Sequence, residues 1–359
     1  RLLRDLPAPG QGGHAVRRLI AKYDGGADRE RGAVAVVAAF LLTVLLAAGA
    51  LAVDGGMLYA KRAQLQTGAD AAAIAVAQKC AASLQDPQCT STSTLATSLA
   101  QSNMYRAQAG IASLTVNTTA QTVTAATQPL QPGMQAGSVS LFLAQTLGIT
   151  SATLGATATA AWGSPSKGIA PFPLAFSVCQ VQGMIGGAYQ LLEDHGSGTN
   201  PSCNYGPSGA VVPGGFGWLV QDPNQCGATI NIASSEGGSA PGNSPPPNCT
   251  TVLQNWVNTL QAGQRIVVLL PVFTAVTGTG SSAVYTLVGF AAFSVIGWNF
   301  GSNSPAVYNN QNPNGSSALA CTGSCRGIIG QFITYVDLDS VYQLGPSSSF
   351  GATIVKLTN

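Results

Sequence analysis

The sequence predicts an α+β protein. One N-terminal membrane-spanning helix should continue into a long amphipathic helix, followed by a β-rich, disulfide-containing domain outside the membrane. Three observations predict it. Ala33 to Val53 is a run of 21 residues with no charge and one hydroxyl, Thr43. Seven basic residues precede that run, whereas only Lys61 and Arg62 follow it closely. All eight cysteines lie after it.

The apolar run sets the topology. As a helix it would be about 31 Å long, matching the ~30 Å of hydrocarbon in a bilayer. Eleven of its residues are Leu, Val or Phe, favouring insertion by about 3–7 kcal/mol at roughly 0.3–0.6 kcal/mol each. Ala33 and Val53 bound the anchor, and Phe40 and Leu45 lie within it. Asp54 marks the water interface, because a carboxylate at the membrane centre costs about 2.5–3.5 kcal/mol. Alternatively, Asp54 pairs with a basic or amino group of a neighbouring subunit. The run exceeds a signal-peptide core and continues as helix, so it should be retained. The excess of Lys and Arg before it places the N-terminus in the cytoplasm and the bulk of the chain outside. Eight cysteines confined to that side fit an oxidising compartment.

Residues 1–32 read as a basic cytoplasmic tail, with a short helix expected at Val16 to Tyr23. The chain begins at Arg1 rather than Met, so further residues are expected to precede it. Residues 54–162 read as the helical extension plus a small α/β module. Met57 to Leu84 lacks proline, and Leu58, Leu65, Ala69, Ala72 and Val76 form a stripe suited to packing on a sheet or helix. Gly55 and Gly56 are candidate bend points. Cys80 and Cys89 bracket Asp86-Pro87 and should pair. A second helix is expected over Thr94 to Ala109, strands over Ser113 to Thr127 and Ala152 to Trp162, and a short helical piece over Leu141 to Leu147. Gly163 to Lys167 reads as a linker into a β-rich domain, 163–359.

In that last domain, Ala175 to Cys179, Phe216 to Val220, Arg265 to Phe273, Ala283 to Phe300 and Gln331 to Leu338 are strand candidates. Ala283 to Phe300 is apolar enough to suggest a second span. Its β-branched and aromatic residues, Gly289 and Gly297, and the lack of flanking basic residues favour a strand buried on both faces. Asn224 to Asn248 reads as a long Gly/Ser/Pro loop. Cys226 with Cys249, and Cys179 with Cys203, are one of three possible pairings of those four cysteines. Cys321 and Cys325 can close a tight loop around Thr-Gly-Ser.

Composition excludes several chemistries. Residues after the span carry eight basic and nine acidic side chains, so no basic field exists there to hold nucleic acid. One histidine, His195, follows the span, beside Glu193 and Asp194, without a nucleophile motif. Cysteine and histidine spacings do not fit a zinc site, and no phosphate-binding lysine loop follows a strand. No catalytic, cofactor or metal residues are assigned, and the protein is expected not to be an enzyme.

Residues Arg31 to Val36, Leu51 to Tyr59, Lys61 to Gln66 and Gly68 to Ala73 carry a resemblance, extended weakly by Leu143 to Ile149 and Ala156 to Ala160. Here the chain resembles the TadG-like (TadE/TadG) family of the tight-adherence, or Flp type IVb, pilus assembly system. GGFGWL at 214–219 and VLLPVF at 268–273 are loosely similar to the outer region of actinobacterial members. Two departures limit the likeness. The metal-binding Asp-x-Ser-x-Ser found in some members is absent; Asp337-Leu338-Asp339-Ser340 does not replace it. Gly25 with Glu30 fits a prepilin-peptidase site only by spacing.

The resemblance implies a membrane-anchored structural subunit or assembly factor that contacts pseudopilins or other pilus subunits, alone or as a homo- or hetero-oligomer. Membrane lipid is the other expected partner. A surface adhesin is the alternative reading, and an exported hydrolase using His195 the remotest.

Overall fold

A computed structural model describes residues 13–181, 183–195, 217–234, 236–240, 245–278, 280–301, 305–338 and 341–358. Helix α1 (Gly13–Ala82) is followed by α2 (Thr94–Ser102) and the hairpin β1 (Ala109–Asn117) and β2 (Thr122–Pro129). Short strands β3 (Ser138–Ser140) and β4 (Ser151–Thr153) flank a 3-10 turn, Ala144–Leu147. Then come β5 (Ala156–Ala170), β6 (Phe176–Ser177), α3 (Val178–Val181) and β7 (Gln190–His195). Next are β8 (Ala228–Asn231), β9 (Glu236–Gly238), α4 (Thr250–Gln261), β10 (Ile266–Thr277) and β11 (Val284–Asn299). The chain closes with β12 (Val307–Tyr308), β13 (Arg326–Ile333), β14 (Tyr335–Asp337), β15 (Gln343–Gly345) and β16 (Ala352–Leu357). The α+β architecture and the long N-terminal helix are as the sequence predicts.

The chain divides into two compact units. The smaller comprises residues 1–63 and 131–154, and the larger comprises 64–130 and 155–359.

In the larger unit one sheet runs β1-β2-β5-β16-β14, with β8 and β15 also pairing β5. The other runs β6-β10-β11-β13-β7, with β9 and β12 pairing β11. Three cores follow from these layers. The α1 stripe, Ala69, Ala72, Ala73, Val76 and Ala77, packs with Ala96 of α2 on Val123, Ala125, Ala160, Trp162 and Val355 of the first sheet. β2 alternates half-buried and buried positions, the period-two pattern of a strand with one covered face. β10 and β11 are instead buried on both faces. One face contributes Leu269, Phe273, Tyr285 and Phe290 to a core shared with Ile230, Ala352 and Ile354. The other contributes Val268, Leu270, Phe293 and Trp298 to a core shared with Trp256 of α4. That double burial accounts for the unbroken apolar text of Ala283 to Phe300, which is a strand, as expected.

Several local expectations need correction. The linker expected at Gly163 to Lys167 lies inside β5, where Gly163 pairs with Ile354 and Lys167 with Asn231. Its glycine reflects crowding: a Cβ on Gly163 would stand 2.3 Å from the Gly345 carbonyl oxygen. Asn224 to Asn248 contains β8 and β9 rather than being wholly loop. Ala175 to Cys179 splits into β6 and the start of α3. The second helix stops at Ser102, and β1 begins at Ala109. The tail, in which a short helix is expected only at Val16 to Tyr23, is helical from Gly13, and α1 runs without interruption through Gly55 and Gly56. After Pro9 no proline interrupts it, and the segment's Arg, Ala, Leu and Lys are good helix formers.

Candidate functional site

The site begins with the apolar stretch of α1. Among the described residues one helix, Val34–Ala82, is long and apolar enough to cross a membrane. Phe40, Leu45 and Val53 are 74%, 67% and 52% exposed, so this stretch has no core of its own. Ala33 lies in the same helical backbone. The lone hydroxyl, Thr43, donates to the Ala39 carbonyl at 2.8 Å, which leaves no unpaired polar side chain in the run.

Asp54, the first residue beyond the run, is 4% exposed. Its carboxylate accepts backbone N–H groups from a turn 88–90 residues later. Phe142 donates to Oδ1 at 2.8 Å and Ala144 to Oδ2 at 2.6 Å. Leu143 donates to both oxygens, at 3.2 and 3.0 Å. Leu143 caps the turn Ala144–Leu147 but has no side chain that can accept these donors. Asp54 therefore does from α1 what a capping Asp or Ser does locally. Burial pushes the carboxyl up; the N–H groups of Ala144, Phe142 and Leu143 outweigh it and hold the group below its ordinary value. Within the chain, then, Asp54 pairs with backbone N–H groups and not with a basic side chain.

A second tie lies one helical stretch further on. Lys61 Nζ donates to Gln131 Oε1 at 3.3 Å, and Gln131 Nε2 donates to Ser140 Oγ at 2.6 Å. The Ser140 N–H in turn donates to Gln131 Oε1 at 3.2 Å. Desolvation pushes the Lys61 ammonium below its ordinary pKa. β3 and β4 pair antiparallel through Val139 and Ala152, so 131–154 folds back as a small hairpin with the 144–147 turn at its tip.

The cysteines meet largely as the spacing suggests. Cys80 bonds Cys89, Cys226 bonds Cys249, and Cys321 bonds Cys325, with Cα separations of 4.8, 4.6 and 5.2 Å. Cys179 is also disulfide-bonded. Cys203 lies outside the described residues, as do the first three residues of GGFGWL and Asp339-Ser340. His195 ends β7, its backbone paired with Arg326 at the edge of the second sheet. Asn299 is buried beneath the smallest disulfide loop and donates from Nδ2 to the carbonyls of Cys321 and Cys325, both at 2.9 Å.

Sequence reasoning found Asp54 and missed its partner. The available signal was chemical: residues 131–154 contain no charged side chain, unusual for a surface hairpin.

Comparison with known proteins bears on the same helix. Residues 32–79 match a family described as putative Flp pilus-assembly TadE/G-like. The match covers the apolar stretch, Asp54 and most of the packed stripe. It supports a pilus-assembly role for this part of the chain. No curated protein and no solved structure matches the chain.

Proposed function

We propose that the protein is a membrane-anchored, non-catalytic component of a tight-adherence (Flp) pilus assembly system. The single observation that carries this is the coincidence of the pilus-assembly match at 32–79 with the helix that, among the described residues, alone is long and apolar enough to cross a membrane. Residues 33–53 hold the chain in the bilayer. The N-terminus lies in the cytoplasm, and the disulfide-bonded residues after Asp54 lie outside, a topology supported by the basic residues before the run and the cystines after it. The outer part works through contacts with pseudopilins or other assembly subunits.

The test is deletion in the native cell followed by complementation with the full chain. Surface pili and surface attachment should disappear and return together. Normal piliation in the deletion strain refutes the proposal.

A further inference from the structure

We propose that the turn held by Asp54 is a second membrane contact, in which Phe142 and Ile149 sit among the lipid headgroups and upper acyl chains beside the anchor helix. The inference rests on the reading of 33–53 as a membrane anchor.

Level is the first argument. Asp54 directly follows the apolar run and binds the N–H groups of residues 142–144 at 2.6–3.2 Å. Those contacts fix the turn where α1 leaves the hydrocarbon. Leu51, three residues back along α1, lies only about 4.5 Å lower. The turn therefore extends the apolar surface of the anchor sideways at its rim.

Chemistry is the second. The hairpin 131–154 carries no charge, so its approach to lipid desolvates no ion of its own, and the Asp54 carboxylate it covers is already buried and hydrogen-bonded. Phe142 and Ile149 are 69% and 56% exposed, while Leu51 and Val53 on the adjoining helix are 78% and 52% exposed. Without lipid, these side chains would leave large apolar groups exposed to water.

Backbone satisfaction is the third. A segment entering the bilayer interface must pair its polar atoms internally. The N–H groups of 142–144 go to Asp54, and the Leu141 N–H goes to the Thr150 carbonyl at 3.1 Å. Thr146, Gly148 and Ile149 donate to carbonyls of the same turn. Gln145 Nε2 donates to the carbonyls of Leu141 and Phe142, and Thr146 Oγ1 to that of Leu143. The Gln145 and Thr146 side chains are thus turned onto the turn's own backbone, Leu141 is buried, and Phe142 and Ile149 are left outside.

The experiment uses the full chain in phosphatidylcholine vesicles, plain or brominated on the acyl chains. The native tryptophans Trp162, Trp218, Trp256 and Trp298 are each at most 8% exposed, so they give a constant background. Phe142→Trp and Ile149→Trp probe the turn, and Leu45→Trp probes the anchor. We expect all three additions to lose most of their extra emission in brominated vesicles. Quenching at Leu45→Trp with none at either turn position overturns this inference alone. If the turn tryptophans are shielded from aqueous iodide yet untouched by bromine, protein rather than lipid covers them, this chain or a second copy of it, and the lipid assignment fails. No quenching at Leu45→Trp overturns the anchor and this inference with it.

Discussion

Removing the three defined disulfides one at a time, as paired Cys→Ala substitutions, should destabilise the larger unit in an order set by loop length. The bridges close loops with sequence separations of 9, 23 and 4 residues. Chain-entropy arithmetic gives contributions of about 2.6 kcal/mol for Cys80–Cys89, about 3.4 kcal/mol for Cys226–Cys249 and about 1.9 kcal/mol for Cys321–Cys325. Each bridge has one sulfur residue at most 2% exposed, Cys80, Cys249 and Cys321, so the cost of removing buried sulfur is similar and largely cancels in the ranking. Urea unfolding of the full chain in detergent, followed by tryptophan fluorescence, is the assay. All four tryptophans belong to the same unit as the bridges. With a slope of about 3 kcal/mol/M, the midpoint should fall by about 0.9, 1.1 and 0.6 M respectively. A larger loss for the Cys321/Cys325 pair than for the Cys226/Cys249 pair would refute the entropic reasoning and assign the stability to local contacts such as Asn299.

Three further outcomes rest on the Asp54 cap and the α1 core. Asp54→Ala should accelerate amide exchange at residues 142–144 while leaving β10 and β11 unchanged. Because the folded carboxyl titrates below its unfolded value, the wild-type cap is fully present above the ordinary carboxylate range. It is lost as pH falls through the lowered value, so protection of those amides should fail only below the ordinary carboxylate range. Trp162→Ala, in the core between α1 and the first sheet, should cost about 3–5 kcal/mol in the same urea assay; a change below ~1 kcal/mol would show that the helix stripe is not docked there.

The parts legible in the sequence are those with a periodic or compositional cause. The apolar run is legible because no charge interrupts it, and the α1 stripe because small and apolar residues recur at helical spacing. Ala283 to Phe300 is legible because a strand covered on both faces needs β-branched and aromatic residues throughout. What failed was punctuation. Gly163, Ser164 and Pro165 look like a linker, yet Gly163 is glycine because the Gly345 carbonyl lies against it. Gly330 in β13 is similar: a Cβ there would stand 2.1 Å from the Ser294 carbonyl oxygen. A glycine demanded by close backbone approach and one demanded by a turn are spelled identically. The Asp54 cap was hidden for another reason. Its donors are backbone N–H groups 88–90 residues away, and backbone donors carry no residue signature.

The matched stretch, 32–79, meets different physical demands along its length. From Val34 to Val53 it is uncharged and largely exposed; at Asp54 it supplies an anion for N–H groups of the 142–144 turn; from Leu65 onward it packs one narrow face tightly. Alanines at 69, 72, 73 and 77 serve the last demand because they let α1 approach its neighbours closely. At Gly68 a Cβ would already lie 3.3 Å from the Ala100 Cα. Close approach has a cost in burial, since an alanine removes little apolar surface from water, about one methyl group's worth. The larger contributions must then come from Leu65 and Val76, each at most 1% exposed, and from the covalent clip at Cys80 near the helix's end. A helix docked through such small contacts depends on that clip, which ties its packing to the redox state of Cys80 and Cys89.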